Sequence, residues 1–247
     1  MQIQNLNRLN DALFKDVFGE SPEITLDFIN AVFEYEGTPT FESVDFIDRE
    51  LDPVEEGGKE SRLDLLGLEK ATGAKVNIEV QVATQEYFGK RSLYYWARLY
   101  NSLKSGDEYE NLKRTVVISI LDFILFEDEA EAKNWHSCFG VYDKKTGKRL
   151  TEDLEMHFIE LPKWKIYKDI KDMNSLEWWT SYFDKKTNAE EMEGIAMYAP
   201  MVGEAIKREN IFTQDEIKRR AYELKKKRNR IIAGIFSIIE RKVIIRV

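Results

Sequence analysis

The sequence KVNIEVQV, residues 75–82, alternates apolar with polar side chains over its whole length. Successive side chains of a β-strand point to opposite faces, so this pattern predicts a strand that is buried on one face. The apolar face carries Val76, Ile78, Val80 and Val82. The polar face carries Lys75, Asn77, Glu79 and Gln81, and it is a candidate functional surface.

The preceding sequence RLDLLGL, residues 62–68, predicts a second strand. The turn residues Thr72 and Gly73 lie between the two strands and indicate a β-hairpin, which can place Asp64 beside Glu79. Two carboxylates at such a distance repel each other unless a cation joins them, and their hard oxygen atoms suit Mg²⁺ or Mn²⁺. The alternative is structural: the polar face is only the solvent-exposed side of an antiparallel sheet.

Helices and further strands are predicted on either side of this hairpin. Residues 9–35 contain two helical pieces, because Ser21 and Pro22 form a helix start within them. The other predicted elements are an extended segment at 41–48, a helix at 85–104, strands at 115–126, 137–142 and 154–161, and helices at 175–186, 189–207 and 214–230. We therefore expect an α/β (α+β) fold, with a mixed-sheet core over residues 1–165 and a mainly helical C-terminal extension over residues 166–247.

Composition excludes several classes of protein. With 247 residues, 43% of them apolar, the chain can bury a substantial core and is not disordered. No run of about 18 apolar residues offers a membrane span, and the N-terminus lacks the pattern of a signal peptide, so we expect a soluble, cytoplasmic protein. Cys138 is the single cysteine, which excludes an internal disulfide and a cysteine-built zinc site, and we expect it to be a core residue. The two histidines, His136 and His157, are too few for a multi-histidine metal site.

The charge is distributed unevenly along the chain. The net charge of −8 argues against binding to nucleic acid, yet residues 207–247 carry 13 Lys or Arg and only 5 Asp or Glu. The basic residues at the centre of this segment are Lys218, Arg219, Arg220, Lys225, Lys226, Lys227, Arg228 and Arg230. They can contact phosphate groups, or they can form the solvated face of a helix.

The element order helix, strand, strand, strand, helix, strand, together with Asp64, Glu79 and Gln81, resembles the PD-(D/E)XK nuclease core, a restriction-endonuclease-like fold. In that superfamily the Asp and the Glu bind a divalent metal, and a Lys two residues after the Glu assists the attacking water. This chain departs from the pattern because Gln81 stands at the position of the Lys. A glutamine can orient water or a phosphate oxygen by hydrogen bonds, but it cannot exchange a proton.

The sequence is more closely similar to the Rpn family of recombination-promoting nucleases, which are also classed as transposases. The similarity covers roughly residues 8 to 165. The residues that carry it are Asp11, Phe14, Lys15, Phe18, Leu63, Asp64, Leu65, Asn77, Ile78, Glu79, Gln81, Arg91, Tyr94, Tyr95, Gly106, Tyr109, Ile118, Ile120, Asp122 and Phe123.

The resemblance implies an endonuclease that depends on Mg²⁺, Mn²⁺ or Ca²⁺ and binds and cleaves DNA. Asp64, Glu79 and the backbone carbonyl of Val80 would be the metal ligands, and Gln81 would position the water. The alternative is a catalytically weak or inactive protein of the same fold that acts as a DNA-binding or protein-interaction module, with a homo-oligomer among its possible assemblies. Affinity for divalent metal distinguishes the two.

Three more residues are expected to hold the scissile phosphate: Lys15, Arg91 and Tyr95. For Lys15 the alternative is an ordinary ion pair with Asp11 on the helix surface. Arg91, Tyr95 and Arg98 form one stripe of the predicted helix at 85–104, and the alternative for them is a solvated face with aromatic packing.

Overall fold

The computed structural model of the protein describes residues 7–47, 50–51, 61–62, 64–127, 132–215, 218–220, 222–224 and 226–227. Its helices are α1 (Asp11–Val17), α2 (Pro22–Glu36), α3 (Phe88–Tyr100), α4 (Ser175–Phe183), α5 (Ala189–Tyr198) and α6 (Pro200–Gln214). Its strands are β1 (Asp45–Phe46), β2 (Glu50–Leu51), β3 (Ser61–Arg62), β4 (Leu65–Leu68), β5 (Lys75–Gln81), β6 (Thr115–Leu121), β7 (His136–Phe139) and β8 (Leu154–Glu160).

Six of the strands form one mixed sheet in the order β1-β4-β5-β6-β8-β7, while β2 pairs with β3. Strands β5, β6 and β8 run parallel, whereas β1, β4 and β7 pair antiparallel with their neighbours. Two neighbouring parallel strands require a crossover, which α3 supplies between β5 and β6. The expected α+β fold, with a nuclease-like mixed sheet and a helical C-terminal part, is confirmed.

The first two helices begin and end where the sequence signals predict. The Asn10 side chain caps α1 by accepting the N–H of Ala12, and Pro22 occupies the first turn of α2 after the N-cap Ser21. Gly37 ends α2 with a φ of 70°, a left-handed conformation that glycine adopts at little cost. Both helices bury apolar side chains in the hydrophobic cluster that they share with the sheet.

The two faces of the sheet have different coverings. Val76, Ile78 and Val80 of β5 belong to the larger hydrophobic cluster, which includes side chains of α1, α2, α4, α5 and α6. The polar face of β5 is covered by α3, where Lys75 Nζ donates to the carbonyl oxygen of Leu99 at 2.8 Å. The alternation of residues 75–82 thus separates a dry face from a face that meets a helix.

Helix α3 is shorter than the predicted helix at residues 85–104, and it buries different side chains. Leu93 shares the helical spacing of Trp96 and Tyr100, which predicts a common buried face, but Leu93 is 50% exposed. The residues that α3 buries are Phe88, Ser92 and Leu99. Other predicted elements are also shorter: the strand predicted at 115–126 stops at Leu121, and within the described residues 41–47 of the extended segment only the two residues of β1 form a strand.

The helix predicted at residues 189–207 was wrong as a single element. It is divided into α5 and α6 at Ala199 and Pro200. Proline lacks a backbone N–H and its ring collides with the preceding turn, so it ends α5 and is accommodated in the first turn of α6.

The C-terminal helices pack onto the N-terminal region of the chain. Arg8 is buried, its Nε lies 2.6 Å from Glu209 Oε1 in α6, and its Nη1 donates to the Tyr182 carbonyl oxygen in α4 at 2.8 Å. Lys218 also forms an ion pair with Asp16 of α1. The described helices after residue 165 share one hydrophobic cluster with the sheet, and the boundary at that residue stays a prediction.

The carboxylates Asp52, Glu55, Glu56 and Glu60, which the sequence offers either as a solvated loop or as a second metal ligand, lie outside the described part of the chain. The same is true of Leu63, Lys225, Arg228, Arg230 and the apolar sequence at 231–247. Among the helices that the structure does describe, none combines the length and the apolar character needed to cross a lipid bilayer.

Candidate metal centre

The hairpin of β4 and β5 places Asp64 and Glu79 side by side. The ladder ends at the pair Leu65–Ile78, so Asp64 and Glu79 are the next residue on each strand. The charge of Asp64 raises the pKa of Glu79, so the two carboxyl groups are neighbours. Asp64 Oδ2 also accepts a hydrogen bond from the backbone N–H of Val80 at 3.0 Å. At this position a side-chain oxygen takes the place of the backbone acceptor that would continue the ladder.

Glu79 is held in a buried, polar environment. Its side chain is 7% exposed, its Oε1 accepts a hydrogen bond from Asn77 Nδ2 at 3.2 Å, and its Oε2 lies 3.2 Å from Arg91 Nη2. Burial raises the pKa of Glu79, and the charge of Asp64 raises it further, while Arg91 and Asn77 oppose the shift only in part. The surroundings therefore favour the neutral form of this carboxyl group.

Asp64 has a similar balance of charges. Burial raises its pKa, the Val80 N–H and Lys15 lower it in part, and Asp11 raises it. Lys15 Nζ lies 3.9 Å from Asp64 Oδ1 and also forms an ion pair with Asp11. Lys15 therefore forms the ion pair with Asp11 on its own helix and also lies near the candidate metal ligand Asp64, so both interpretations of this residue apply.

Gln81 and Arg91 lie beside Glu79. Arg91 Nη2 donates to Gln81 Oε1 at 3.3 Å, and Arg91 Nη1 is hydrogen-bonded to Gln85. The Gln81 amide nitrogen donates to the Ala83 carbonyl oxygen at 3.1 Å. One guanidinium group therefore joins the candidate catalytic carboxylate to the residue that replaces the expected lysine.

Tyr95 lies against Arg91 rather than forming a separate contact in the site. The Arg91 guanidinium lies 5.6 Å from the centre of the Tyr95 ring and 4.9 Å from that of Phe88. Arg98, the third member of the predicted stripe, lies 5.8 Å from the Tyr94 ring. The tyrosine ring thus helps to orient the guanidinium group.

Sequence reasoning missed the contribution of Lys185 to this region. The backbone N–H of Asp122, directly after β6, donates to the Gln81 carbonyl oxygen at 3.0 Å. Lys185 Nζ, in the turn after α4, donates to the Asp122 carboxylate at 2.8 Å. Asp122 belongs to the quoted family pattern, but nothing in the sequence indicates a partner 63 residues away.

The two histidines lie elsewhere, on β7 and β8. His136 Nε2 and His157 Nδ1 are 3.2 Å apart, and His136 Nδ1 lies 3.2 Å from Glu36 Oε1. Cys138 pairs with His157 across the strands, and burial above all raises the pKa of its thiol to about 12. At neutral pH this cysteine is protonated and is therefore a poor nucleophile, but it is half-buried and not the core residue that the sequence predicted.

The donor set near Asp64 fits a divalent cation. Both carboxyl groups are held where their charge is disfavoured, which a cation would reverse. The N–H and C=O groups of a strand residue point to the same side, so the Val80 carbonyl faces the side on which Asp64 binds the Val80 N–H. No three His, Cys, Asp or Glu side chains converge as a metal cage within the described ranges. Two carboxylates and a carbonyl are a set that suits Mg²⁺, which usually keeps several waters.

Comparison with known proteins gives a family match over most of the chain. The family model described as PD-(D/E)XK nuclease family transposase matches residues 8–231. The match extends beyond residue 165 and includes α4, α5 and α6. Neither a curated protein nor a solved structure matches the chain.

Proposed function

The chain belongs to the PD-(D/E)XK nuclease family transposases, and from this membership we propose that it is a metal-dependent endonuclease that hydrolyses phosphodiester bonds of DNA. The observation that carries the proposal is the pair Asp64 and Glu79, which directly follow the last ladder pair of the hairpin and both have raised pKa values. Carboxyl groups that served only in structural ion pairs with cations would have surroundings that stabilise their ionised forms. The surroundings of Asp64 and Glu79 instead disfavour the ionised forms.

Asp64, Glu79 and the Val80 carbonyl would hold Mg²⁺, Mn²⁺ or Ca²⁺. The ion would supply positive charge against the charge that develops on the phosphate, and it would make a nearby water more acidic. Gln81 orients that water or a phosphate oxygen by hydrogen bonds, because its amide can donate and accept but cannot take a proton.

Lys15 and Arg91 are the cations that would bind the scissile phosphate. Lys15 Nζ is 3.9 Å from Asp64, and Arg91 is held by Glu79, Gln81 and the face of the Tyr95 ring. They come from α1 and α3, so a phosphate between them would be contacted from two helices.

The test is cleavage of supercoiled plasmid DNA by the wild type, Asp64→Asn and Glu79→Gln, with EDTA or with each of the three divalent ions. Asp45→Asn is the matched control, because Asp45 lies on the same sheet opposite Leu68, at the other end of the hairpin. We expect nicking by the wild type and D45N that requires the ion, and a loss of about 10²-fold or more in D64N and E79Q. Equal cleavage by all four proteins would refute the proposal.

The alternative function, a nuclease-fold module without catalysis, is favoured by the presence of Gln81 in place of the lysine. Calorimetry separates the two functions. The endonuclease requires that the wild type binds a divalent ion and that D64N and E79Q lose this binding. DNA binding with no cleavage and no affinity for divalent ions would favour the module.

A further inference from the structure

One face of α3 points away from the sheet and exposes aromatic and basic side chains in alternation. We call it the α3 outer face and define it by Tyr87, Lys90, Tyr94 and Arg98. Lys90, Tyr94 and Arg98 are spaced by four positions, so they lie on one side of the helix, and Tyr87 is the N-cap residue that precedes it. Tyr87 is 63% exposed and Tyr94 is 44% exposed, so neither ring is taken up by the core.

Each tyrosine of this face lies next to a cation. Lys90 Nζ is 5.0 Å from the centre of the Tyr87 ring, and the Arg98 guanidinium is 5.8 Å from that of Tyr94. The seven residues from Tyr87 to Tyr94 rise about 10 Å along the helix, equal to about three stacked nucleotides at ~3.4 Å each. The rings are thus separated by a distance that a short run of bases can span.

The charge of this region is opposite to that of the chain as a whole. Residues 86–106 carry Lys90, Arg91, Arg98 and Lys104 against a single acid, Glu86, which is hydrogen-bonded to the Tyr87 side chain, while the whole chain has a net charge of −8. A basic surface with interleaved aromatic rings suits a polyanion that also carries flat apolar groups. Nucleic acid has both properties.

The backbone at Tyr87 supports a role for its ring. Tyr87 has a φ of 63° and a ψ of 26°, the left-handed conformation, where a non-glycine residue costs about 1–2 kcal/mol. Packing does not explain the choice of a large ring at this position, since most of it is exposed. Strained residues persist preferentially at binding and catalytic sites.

We propose that the α3 outer face binds single-stranded DNA, with bases stacked on Tyr87 and Tyr94 and phosphates paired with Lys90 and Arg98. DNA as the ligand rests on the proposed function, which this inference deepens by naming unpaired DNA as the preferred substrate. The face is continuous with the candidate metal centre through Arg91, which lies one helical turn from Tyr87 and is 3.2 Å from Glu79.

Stacking is the reason for preferring a single strand. The faces of paired bases in a duplex are covered by their neighbours, so an exposed tyrosine on a helix can reach only the backbone or the base edges. Unpaired bases expose their faces, and each base that stacks on an aromatic side chain contributes about 1–3 kcal/mol. The basic residues alone would bind both forms of DNA.

The experiment measures fluorescence anisotropy in EDTA with the double variant D64N/E79Q, so that cleavage neither occurs nor matters. The probes are fluorescein-labelled dT20, an abasic 20-mer with the same phosphates, and a 20-bp duplex. Tyr87→Ala and Tyr94→Ala are compared with Tyr87→Phe, which keeps the ring. The matched control is Tyr167→Ala, because Tyr167 is 66% exposed and lies against Trp164 of the larger hydrophobic cluster.

We expect dT20 to bind more tightly than either the abasic strand or the duplex. Y87A and Y94A should each weaken dT20 binding by about 5- to 150-fold, the range that 1–3 kcal/mol per base gives. Y87F and Y167A should bind as the parent does. Lys90→Ala should lower the magnitude of the salt slope by about 0.7, as expected for one lost phosphate contact on a single strand.

Four results would overturn the inference: no binding of dT20, equal binding of dT20 and the abasic strand, duplex binding as tight as single-strand binding, or unchanged affinity in Y87A and Y94A. Light scattering adds a fifth, because a parent dimer that these two variants make monomeric would assign the face to a second copy of the chain. A wild type that cleaves nothing, with this binding pattern intact, would refute only the proposed endonuclease.

Discussion

Two buried glutamates on the same sheet should respond in opposite ways to the same substitution. Glu79 on β5 and Glu155 on β8 have side chains that are 7% and 1% exposed. Burial raises the pKa of Glu79, and Asp64 adds to the rise. Burial alone would also raise the pKa of Glu155. The hydrogen bonds of Glu155 with His157, Arg114 and Arg149 outweigh the effect of burial and lower this pKa to about 2.

The magnitude for Glu155 follows from this shift. Its pKa falls from the ordinary 4.5 to about 2, and each pKa unit is worth about 1.4 kcal/mol. Ionised Glu155 therefore contributes ~3 kcal/mol to the free energy of unfolding above pH 4.5. This contribution is lost as the pH falls from 4.5 toward 2. Glu155→Gln should therefore lower the melting temperature by about 6–12 °C in a chain of this size.

The sign for Glu79 is reversed. A raised pKa means that the folded state binds more protons than the unfolded chain, so this group destabilises the fold as the pH rises through 4.5 toward the folded pKa. Glu79→Gln keeps the size of the side chain and an acceptor for Asn77 but removes the charge. We expect metal-free E79Q at pH 8 to be at least as stable as the wild type.

Differential scanning fluorimetry with and without Mg²⁺ tests both parts. Mg²⁺ at about 100 times its Kd should stabilise the wild type and E155Q by about 2.7 kcal/mol, a rise of roughly 5–11 °C, and should leave E79Q unchanged. Destabilisation of metal-free E79Q as large as that of E155Q, or an equal rise with Mg²⁺ in both variants, would refute the reasoning.

Three further predictions concern stability. Arg8→Ala should cost about 3–5 kcal/mol in denaturant unfolding because it leaves Glu209 buried and unpaired, and adding Glu209→Ala should recover part of the loss. Burial lowers the pKa of His157, so the stability of the wild type should decrease as the pH falls below 6.5, and urea titrations of His157→Asn should give a flatter profile. A Cβ at Gly67 would lie 2.5 Å from Val44 Cγ2, so Gly67→Ala should cost about 1–3 kcal/mol, and Val44→Ala in the same chain should relieve it.

The hairpin was predictable because its signal is local. A period of two over residues 75–82 determines which side chains share a face, and the turn at Thr72 and Gly73 joins the strands. The ladder ends at the pair Leu65–Ile78, and Asp64 and Glu79 are the next residue on each strand. A register shifted by one residue would turn the apolar side chains to the polar face, so the hydrophobic effect selects this pairing.

Helix α3 shows where a periodic pattern is insufficient. Leu93 and Leu99 are both leucines of the same amphipathic segment, yet Leu93 is 50% exposed and Leu99 is buried. The burial of Leu99 depends on Leu66 of β4, which contacts it in a separate small cluster. Hydrophobicity within a helix does not record which strand lies beneath it, so the choice of face required the tertiary structure.

The buried histidines are a second case. His136 contacts Glu36 at the end of α2, which is 100 residues away in sequence, and its other ring nitrogen contacts His157. The sequence contains no spacing that indicates such a contact, since the parallel order β5-β6-β8 and the antiparallel β7 bring the residues together. Long-range pairing of this kind is set by sheet topology and not by local propensity.

Helix α3 explains why Gln81 can stand at the position of the expected lysine. A lysine on β5 would place a cation two residues from Glu79, and here Arg91 places one at 3.2 Å from Glu79 and 3.3 Å from Gln81. The guanidinium donates several hydrogen bonds in a fixed plane and stays charged at all relevant pH values, whereas a lysine beside it would face a like charge. The positive charge near the carboxylates is therefore supplied by the helix, and Gln81 is the neutral partner that can accept a hydrogen bond from it. The acidic net charge of the chain consequently says little about this site, where the local balance is set by Arg91 and Lys15 against Asp64 and Glu79.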